Sequence, residues 1–489
     1  MRGAKFPEDQ ELLESLLMEP ITLQFVAEAC GGRLSAAGGQ ECVDRISTDS
    51  RKVERGSLFV AIEGENFDGH KFLEIAFEQG ARAALVEEKK IESGAKRWPL
   101  VLTQGNTRKA LGDLARAYRK QFELNSIAVA GSNGKTSTKE LVAAVVRQKL
   151  ECVWSEASFN NDIGVPLTLL KLERRHRAGI FEAGTNHPGE LGPLLEMIVP
   201  NIGIITSIGR EHLEHFGSID GVLEEEGTLA EILPGSGLLI LNNESYGARQ
   251  LMQRSRARVV TVGQSLESQW RIREAQANGK GMRFQMESQF SEYSGEYRIN
   301  LWGMHQVINA AYAIVVGKEM GLGRAEIQRG LDSSCPSKMR LELKRIDSFL
   351  VLDDAYNANA DSMRAAIETL EQFPCDGRRI AVLGDMAELG ATANEAHEEI
   401  GRRAAEGGID WLMAVGQRSE ITGAAARRAG LKNVLEIRDV DQAGEALKDV
   451  VQAGDIVLVK ASRSSRLERV VEFLKNHFGE GEPITARGN

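Results

Sequence analysis

The run Gly131-Ser132-Asn133-Gly134-Lys135-Thr136-Ser137 stands between an apolar stretch, Ser126-Ile127-Ala128-Val129-Ala130, and a helix-compatible one beginning at Thr138. Strand, glycine loop and helix in that order aim backbone N–H groups and the positive end of a helix dipole at one point, where a phosphate fits. Lys135 would then reach the outer phosphates of a nucleoside triphosphate, and the Thr136 hydroxyl would hold Mg²⁺. The general phosphate-loop pattern also asks for a glycine five residues before Gly134; Val129 occupies that place, so only the second half of the pattern is present. Glu182 closes another apolar run, Ala178-Gly179-Ile180-Phe181. A carboxylate at the C-terminal tip of a parallel strand lies where such sheets bind ligands, and it suits Mg²⁺ as well as it suits a helix cap. His212, in Gly209-Arg210-Glu211-His212-Leu213-Glu214-His215, reads on its own as an exposed residue at a helix start, and Glu224-Glu225-Glu226 as a solvated acidic helix face.

These groups need elements to hold them. At 489 residues the chain has room for about three domains, and 42% hydrophobic residues supply ordinary cores. Boundaries are expected at residues 1–104, 105–334 and 335–489. The first part should hold an N-terminal extension with a helix around Glu11–Met18, then a small α/β unit centred on Ile46–Arg51 and Gly56–Ile62. The Gly- and Asp-rich loop Glu63–His70 leads into a helix carrying Phe72, Ile75 and Ala76 at helical spacing. The second part alternates helix (Thr107–Phe122), strand, glycine loop, helix and further strands (Ala178–Phe181, Ile202–Thr206), which implies a doubly wound parallel sheet. Alternating stretches at Met282–Met286 and Tyr297–Leu301 suggest an antiparallel edge. In the third part Phe349–Asp353, Ile380–Leu383 and Ile456–Lys460 alternate with helices, giving a Rossmann-like parallel sheet.

Composition excludes several classes. A net charge of −10 argues against nucleic acid as a partner. The five cysteines include no C-x-x-C pair, so neither a disulfide frame nor a zinc site is expected. The acidic N-terminal region lacks the apolar core of a signal peptide, and no stretch of about 18 apolar residues occurs; the expectation is a cytoplasmic monomer without membrane insertion. No Asn-Lys-x-Asp guanine motif accompanies the loop.

The shortened loop resembles Gly-Thr/Ser-Asn-Gly-Lys-Thr of the Mur ligases and folylpolyglutamate synthases, which form amide bonds at the expense of ATP. Glu182-Ala-Gly-Thr-Asn-His-Pro-Gly-Glu190 resembles the metal-ligand segment of the Mur ligases, and Glu211-His212-Leu-Glu-His-Phe-Gly-Ser218 the segment whose His holds a second metal. Most members place a carbamylated lysine fourteen or fifteen residues after that His. Here the sequence departs from the family: the place falls in Leu223-Glu224-Glu225-Glu226-Gly227, and the expectation is that Glu226 supplies natively the charge that carbamylation creates. Its stem is three heavy atoms shorter, so a bridging water or a backbone shift would be needed. Asn160-Asn161-Asp162-Ile163-Gly164-Val165-Pro166 is similar to the family's segment beside the metal and the substrate carboxylate. Gly303-Met304-His305-Gln306-Val307-Ile308-Asn309 is similar to Gly-x-His-Asn-x-x-Asn, with Gln306 for the first Asn; His305 and Asn309 are thereby implied in adenine contacts.

Arg340-Leu341-Glu342 resembles the family's Arg-Leu-Glu, which implies a nucleotide contact for Arg340, with Asp354 beside it. Asp353-Asp354-Ala355-Tyr356-Asn357-Ala358-Asn359-Ala360-Asp361-Ser362-Met363 is similar to the motif of members that add D-alanyl-D-alanine, with Ala360 for the usual Pro. Tyr356, Asn357, Asn359, Ser362 and Arg463 are implied in dipeptide binding. Gly384-Asp-Met-Ala-Glu-Leu-Gly390 and Lys460-Ala-Ser-Arg-Ser464 match the same members. Ser47, Ser50 and Arg51 resemble the uridine-diphosphate site of a nucleotide-sugar domain. The resemblance spans residues 21–489. It implies an ATP-dependent ligase using ATP and two Mg²⁺ ions, with UDP-N-acetylmuramoyl-tripeptide and D-alanyl-D-alanine as substrates. Its implied catalytic residues are Lys135, Glu182 and His212; Thr136, Glu182, His212 and Glu226 are its implied metal ligands. The alternatives are a member adding another amino acid, a folylpolyglutamate-synthase-like ligase, or a degenerate binding protein.

Overall fold

Short apolar runs of Val, Ile, Leu and Ala, spaced by helices, form strands buried on both faces. The computed structural model describes residues 16–35, 38–64, 66–91 and 98–481, and among them three sheets. The first holds β1 (Leu16–Thr22), β2 (Arg33–Leu34), β3 (Cys42–Ser47), β4 (Ser57–Val60), β5 (Ala83–Glu87) and β6 (Leu100–Thr103), in the order β1-β3-β4-β5-β6-β2. β3 to β6 are parallel, with β1 and β2 antiparallel at the edges.

The second sheet holds β7 (Asn125–Ala130), β8 (Cys152–Trp154), β9 (Ala178–Glu182), β10 (Ile202–Ile205), β11 (Leu238–Asn242), β12 (Arg258–Gly263), β13 (Trp270–Ala277), β14 (Met282–Ser288) and β15 (Gly295–Ile299), in the order β15-β14-β13-β12-β11-β10-β7-β9-β8. The expected antiparallel edge is present: β13, β14 and β15 pair antiparallel. The third holds β16 (Glu342–Ile346), β17 (Phe349–Asp354), β18 (Arg379–Leu383), β19 (Trp411–Val415), β20 (Val434–Ile437) and β21 (Ile456–Lys460), in the order β16-β17-β21-β18-β19-β20. It is parallel except for its edge strand β16.

The chain divides into two compact units. One comprises the described residues of Met1–Ala128 with Leu150–Thr185 and Glu190–Ile202; the other comprises those of Val129–Lys149, Asn186–Gly189 and Gly203–Asn489. In the second unit the third sheet shows why its inner strands are mostly apolar. Leu352, Ala381, Leu412 and Leu458 face a core shared with helices Ala360–Gln372 and Ala393–Glu406. Their strand neighbours Val351, Ile380, Met413 and Val457 face a second core, shared with helices Val440–Lys448 and Glu468–Phe478. The period of two along a strand sends alternate side chains to opposite faces, and helices cover both.

Two expectations are corrected in the first unit. Of the helix expected around Glu11–Met18, residues 11–15 lie outside the described residues, and Leu16–Met18 belong to β1, where Leu16 pairs with Ile46. Helical spacing in isolation carries no sign of that edge pairing. The helix after the Gly-rich loop spans Leu73–Glu78 and buries Leu73 and Ala76, whereas Ile75 is exposed and Phe72 sits in the preceding 3₁₀ turn.

Helix Thr107–Arg119 anchors this unit. Asn106 caps it by accepting from Arg108 N–H at 2.7 Å, and the Thr107 hydroxyl donates to Ala61 O at 2.7 Å. The buried Tyr118 hydroxyl donates to Leu172 O at 2.7 Å and accepts from Glu19 N–H at 2.9 Å. Tyr118→Phe keeps the ring and strands both backbone partners. It should cost about 1–3 kcal/mol, the penalty for unsatisfied buried groups, read as a lower thermal midpoint with unchanged secondary structure.

Candidate active site

The loop after β7 turns on two glycines. Gly131 has φ +112° and Gly134 φ +86°, conformations that L side chains avoid. A Cβ on Gly131 would lie 2.5 Å from Thr206 Oγ1 and 2.8 Å from Thr206 N; one on Gly134 would lie 2.8 Å from Asn309 Oδ1. The segment after β10 presses this closely because it is bonded there. Thr206 N–H donates to Ala130 O at 3.0 Å, Ser132 N–H to Ser207 O at 2.8 Å, and Asn133 N–H to Ser207 Oγ at 3.2 Å. Gly209 N–H donates to Ser132 Oγ at 2.8 Å. Helix Lys135–Val146 then starts from Gly134, so its first N–H groups are aimed at the loop.

Lys135 Nζ folds back onto Gly131 O and Ser132 O and lies 3.7 Å from Glu211 Oε2. The Thr136 hydroxyl is buried and has no hydrogen-bond partner. Ser137 Oγ accepts from Gln306 Nε2 at 3.5 Å, and Gln306 Oε1 accepts from Asn309 Nδ2 at 3.0 Å. Gln306 thus does not leave a gap where the resemblance calls for Asn; its longer amide bridges helix Met304–Glu319 to the loop. Burial, with the Lys460 charge adding to it, lowers the His305 imidazole to about 4, so His305 is neutral at ordinary pH.

The three adjacent glutamates on helix Ile219–Ile232 do not form one solvated face. Glu224 turns outward to Arg254, while Glu225 accepts from Gly189 N–H at 2.7 Å. Glu226 is buried, and its Oε2 accepts from Gly131 N–H at 2.6 Å; its Oε1 has no hydrogen-bond partner. The short stem therefore reaches the phosphate loop without a bridging water. Burial pushes the Glu226 carboxyl up to about 8; the Lys135 charge opposes this, and the Glu211 carboxylate adds to it.

His212 adopts φ +47°, and its Nδ1 is hydrogen-bonded to Glu388 Oε2. Arg340 lays its guanidinium over the Tyr356 ring, 4.2 Å from the centroid. Asp354 accepts from Lys460 Nζ at 2.6 Å and from Leu341 N–H at 3.1 Å. Asn359 and Ser362 form a reciprocal capping box on helix Ala360–Gln372, and Asn359 Nδ2 also donates to Asn133 Oδ1 at 3.0 Å. Asn357 O accepts from Lys460, and Arg463 pairs with Glu468 at 3.3 Å.

The remaining sequence-derived residues lie in the other unit. Glu182 is buried at the tip of β9. Its Oε1 accepts from Asn160 Nδ2 at 2.9 Å, and its Oε2 has no hydrogen-bond partner. Asn161 accepts from Ile163 and Gly164 N–H, fixing the turn before helix Gly164–Leu170. Arg51 bonds Asp49 through Nε and Nη2 at 3.0 and 2.7 Å, which holds the Asp49 carboxyl below its usual range. Ser47 Oγ bonds Asp49 O, and Ser50 opens the 3₁₀ turn Ser50–Lys52. Sequence reasoning singled out neither Glu211 nor Glu388 nor Arg210. The available signal was position: Arg210 and Glu211 immediately precede His212, and Glu388 lies in the Gly384–Gly390 motif.

Three family models match in chain order: the Mur ligase family, catalytic domain, over residues 43–119; the Mur ligase middle domain over 129–317; and the Mur ligase, glutamate ligase domain, over 339–463. The chain belongs to the Mur ligase family. Within it, the chain is 32% identical over 460 residues to the UDP-N-acetylmuramoyl-tripeptide–D-alanyl-D-alanine ligase of Bacillus subtilis, covering 93% of this chain and 98% of that one. Its fold is similar to MurF from Acinetobacter baumannii, with TM-score 0.86 and 28% identity over 94% of this chain and 100% of that one. It is also similar to MurF ligase from Thermotoga maritima in complex with ADP, with TM-score 0.77 and 25% identity over 88% and 97% of the two chains.

The motif Gly384–Gly390 rests on a buried histidine. His397 Nε2 accepts from Met386 N–H at 3.1 Å, and Nδ1 bonds Ala393 O at 2.6 Å, so the ring is neutral. Burial lowers its pKa below the ordinary 6.5. The unfolded chain therefore takes up the proton first as pH falls, and the stability present above about 6.5 is lost below it. His397→Gln should show a smaller drop in thermal midpoint between pH 7.5 and 5 than the unsubstituted protein.

Proposed function

We propose that this chain is an ATP-dependent ligase that joins D-alanyl-D-alanine to UDP-N-acetylmuramoyl-tripeptide. The reading is carried by near-full-length similarity to ligases of that name, in a chain whose glycine loop keeps the geometry of a phosphate cradle. In this reading the tripeptide's terminal carboxylate attacks the γ-phosphorus of ATP, ADP leaves, and an acyl phosphate forms. The dipeptide amine then attacks the acyl carbon and phosphate departs. Both reacting partners of the first step are anions, so cationic stabilisation is the main requirement.

Lys135 would leave the carbonyls of Gly131 and Ser132 for the outer phosphates, and the N–H groups at the start of helix Lys135–Val146 would take the remaining oxygens. Mg²⁺ fits the donors present. Thr136 Oγ1 and Glu226 Oε1 in the second unit are buried oxygens without hydrogen-bond partners, and so, in the first unit, is Glu182 Oε2. Among the described residues no group of three or more His, Cys, Asp or Glu forms a ready-made cage; Mg²⁺ suits such sites, since it takes one or two carboxylates and completes its shell with phosphate and water. When bound, the ion would neutralise charge on the phosphates. We assign Thr136, Glu182, His212 and Glu226 to two such ions, with Glu226 replacing the carbamylated lysine of most relatives.

His305 and Asn309 would contact adenine, and Arg340 and Asp354 the nucleotide from the third domain. Ser47, Ser50 and Arg51 would hold the uridine diphosphate, Asn160 and Asn161 the acceptor carboxylate. Tyr356, Asn357, Asn359, Ser362 and Arg463 would hold the dipeptide. The domains we propose are residues 1–104, 105–334 and 335–489, in a monomer working in the cytoplasm, where ATP and nucleotide-linked sugars are found. Among the described residues no helix is long and apolar enough to cross a membrane.

The deciding experiment measures phosphate release from ATP with the UDP-linked tripeptide, with and without D-alanyl-D-alanine, and weighs the product. Release that needs both substrates, with a product heavier by the dipeptide less water, supports the reading; turnover with another amino acid instead, or none at all, overturns it. For the ion assignment, Glu226→Ala should weaken apparent Mg²⁺ affinity roughly 10- to 100-fold, as losing a metal-supporting group does. Glu226→Lys should regain activity only with added bicarbonate. An unchanged Mg²⁺ titration in Glu226→Ala would remove Glu226 from the site.

A further inference from the structure

The segment Thr206–Glu214, which carries His212, is held on both sides. On one side its backbone lies against the phosphate loop through Ala130, Ser132 and Asn133. On the other, Arg210 grips the start of helix Ala360–Gln372 and the middle of helix Ala393–Glu406. Its Nη1 and Nη2 meet Glu399 Oε2 and Oε1 at 2.6 and 3.0 Å, and Nη2 also meets Asp361 Oδ1 at 3.0 Å. Arg210 N–H donates to Asp361 Oδ2 at 2.8 Å. The partners are 151 and 189 residues away in sequence. Two further bonds fall beside this fork: Glu214 N–H donates to Glu388 O at 3.0 Å, and His212 Nδ1 bonds the Glu388 carboxylate. Both His212 and Glu388 are non-glycine residues at positive φ, +47° and +60°.

We infer that Arg210, with Asp361 and Glu399, is a positioning latch that holds the Asn359–Ser362 segment in register with the phosphate loop, and so sets dipeptide affinity without touching either substrate. The latch rests on the ligase reading for its consequence, though not for its existence. A planar guanidinium shared by two carboxylates and backed by a backbone bond fixes both distance and orientation, which a lone lysine cannot do. The three side chains are about two-thirds or more covered, so solvent screens the pairing only in part. The ionic coupling leaves its mark at both ends: Glu399 is held below the usual carboxylate range by Arg210, and Arg210 is raised above its ordinary value by Glu399 and Asp361. Because the strap's bonds to the phosphate loop are made by backbone groups and by Ser207, they survive loss of the Arg210 side chain. Nucleotide binding and dipeptide binding should therefore separate.

The test uses the full chain as Arg210→Ala, Glu399→Gln and the exchange pair Arg210→Glu with Glu399→Arg. Amide hydrogen exchange without substrates should rise at least tenfold in both 209–214 and 359–364 for Arg210→Ala, less for Glu399→Gln, and fall back toward the unsubstituted rate in the exchange pair. KM for D-alanyl-D-alanine should rise about tenfold in Arg210→Ala, with kcat and the affinity for a fluorescent ADP analogue within twofold. Unchanged exchange in either segment overturns the latch, as does a parallel loss of nucleotide affinity. If Arg210→Ala unfolds, Glu399→Gln decides by the same two readouts. If the unsubstituted protein shows no dipeptide-dependent turnover, the ligase reading falls, and the exchange measurements still decide the latch.

Discussion

The phosphate loop has no spare volume behind it. Gly131 touches the backbone of Thr206 so closely that one methyl group would fill the gap, and the bonds from Ala130, Ser132 and Asn133 to the strap after β10 fix that contact. Everything else in the second unit that is suited to chemistry is located relative to this contact. Lys135 and Thr136 follow the loop directly onto a helix, His212 follows the strap, and Asn309 closes against Gly134. A loop formed by close backbone approach is stiff, so the start of helix Lys135–Val146 keeps its direction when an anion arrives.

Stiffness there is balanced by electrostatic tension nearby. Glu226 and Glu211 bring two carboxyl groups beside the Lys135 ammonium in a buried setting, and burial raises the pKa of Glu226. With one carboxyl oxygen of Glu226 on Gly131 N–H, that donor is already taken where a phosphate oxygen would compete.

Much of this is legible in the sequence, for a physical reason. The loop, the parallel strands and the antiparallel edge are encoded locally, by spacing of glycines and by apolar runs, and they appear where those patterns place them. The doubly covered third sheet follows from strands such as Ile456–Lys460, which have no polar face to give to solvent. What was not readable depends on partners distant in sequence. The edge pairing of Leu16–Thr22 with β3, the inward turn of Glu226 toward a residue 95 positions away, and the grip of Arg210 on Asp361 and Glu399 leave no local trace. Asn359 and Ser362 illustrate a third case: their types suit dipeptide binding, and the fold also uses them to start a helix.

Helix Ile219–Ile232 turns three consecutive carboxylates to three different tasks. Each residue along a helix is rotated by about 100° from the last, so the task each glutamate has is set by counting from the helix start at Ser218, not by its chemistry. A single inserted or deleted residue between Ser218 and Glu224 would deliver the wrong carboxylate to the loop and leave the right one in solvent. The interval should therefore be invariant in length among close homologues even where its composition is not, which makes it a ruler in the lineage that carries glutamate here.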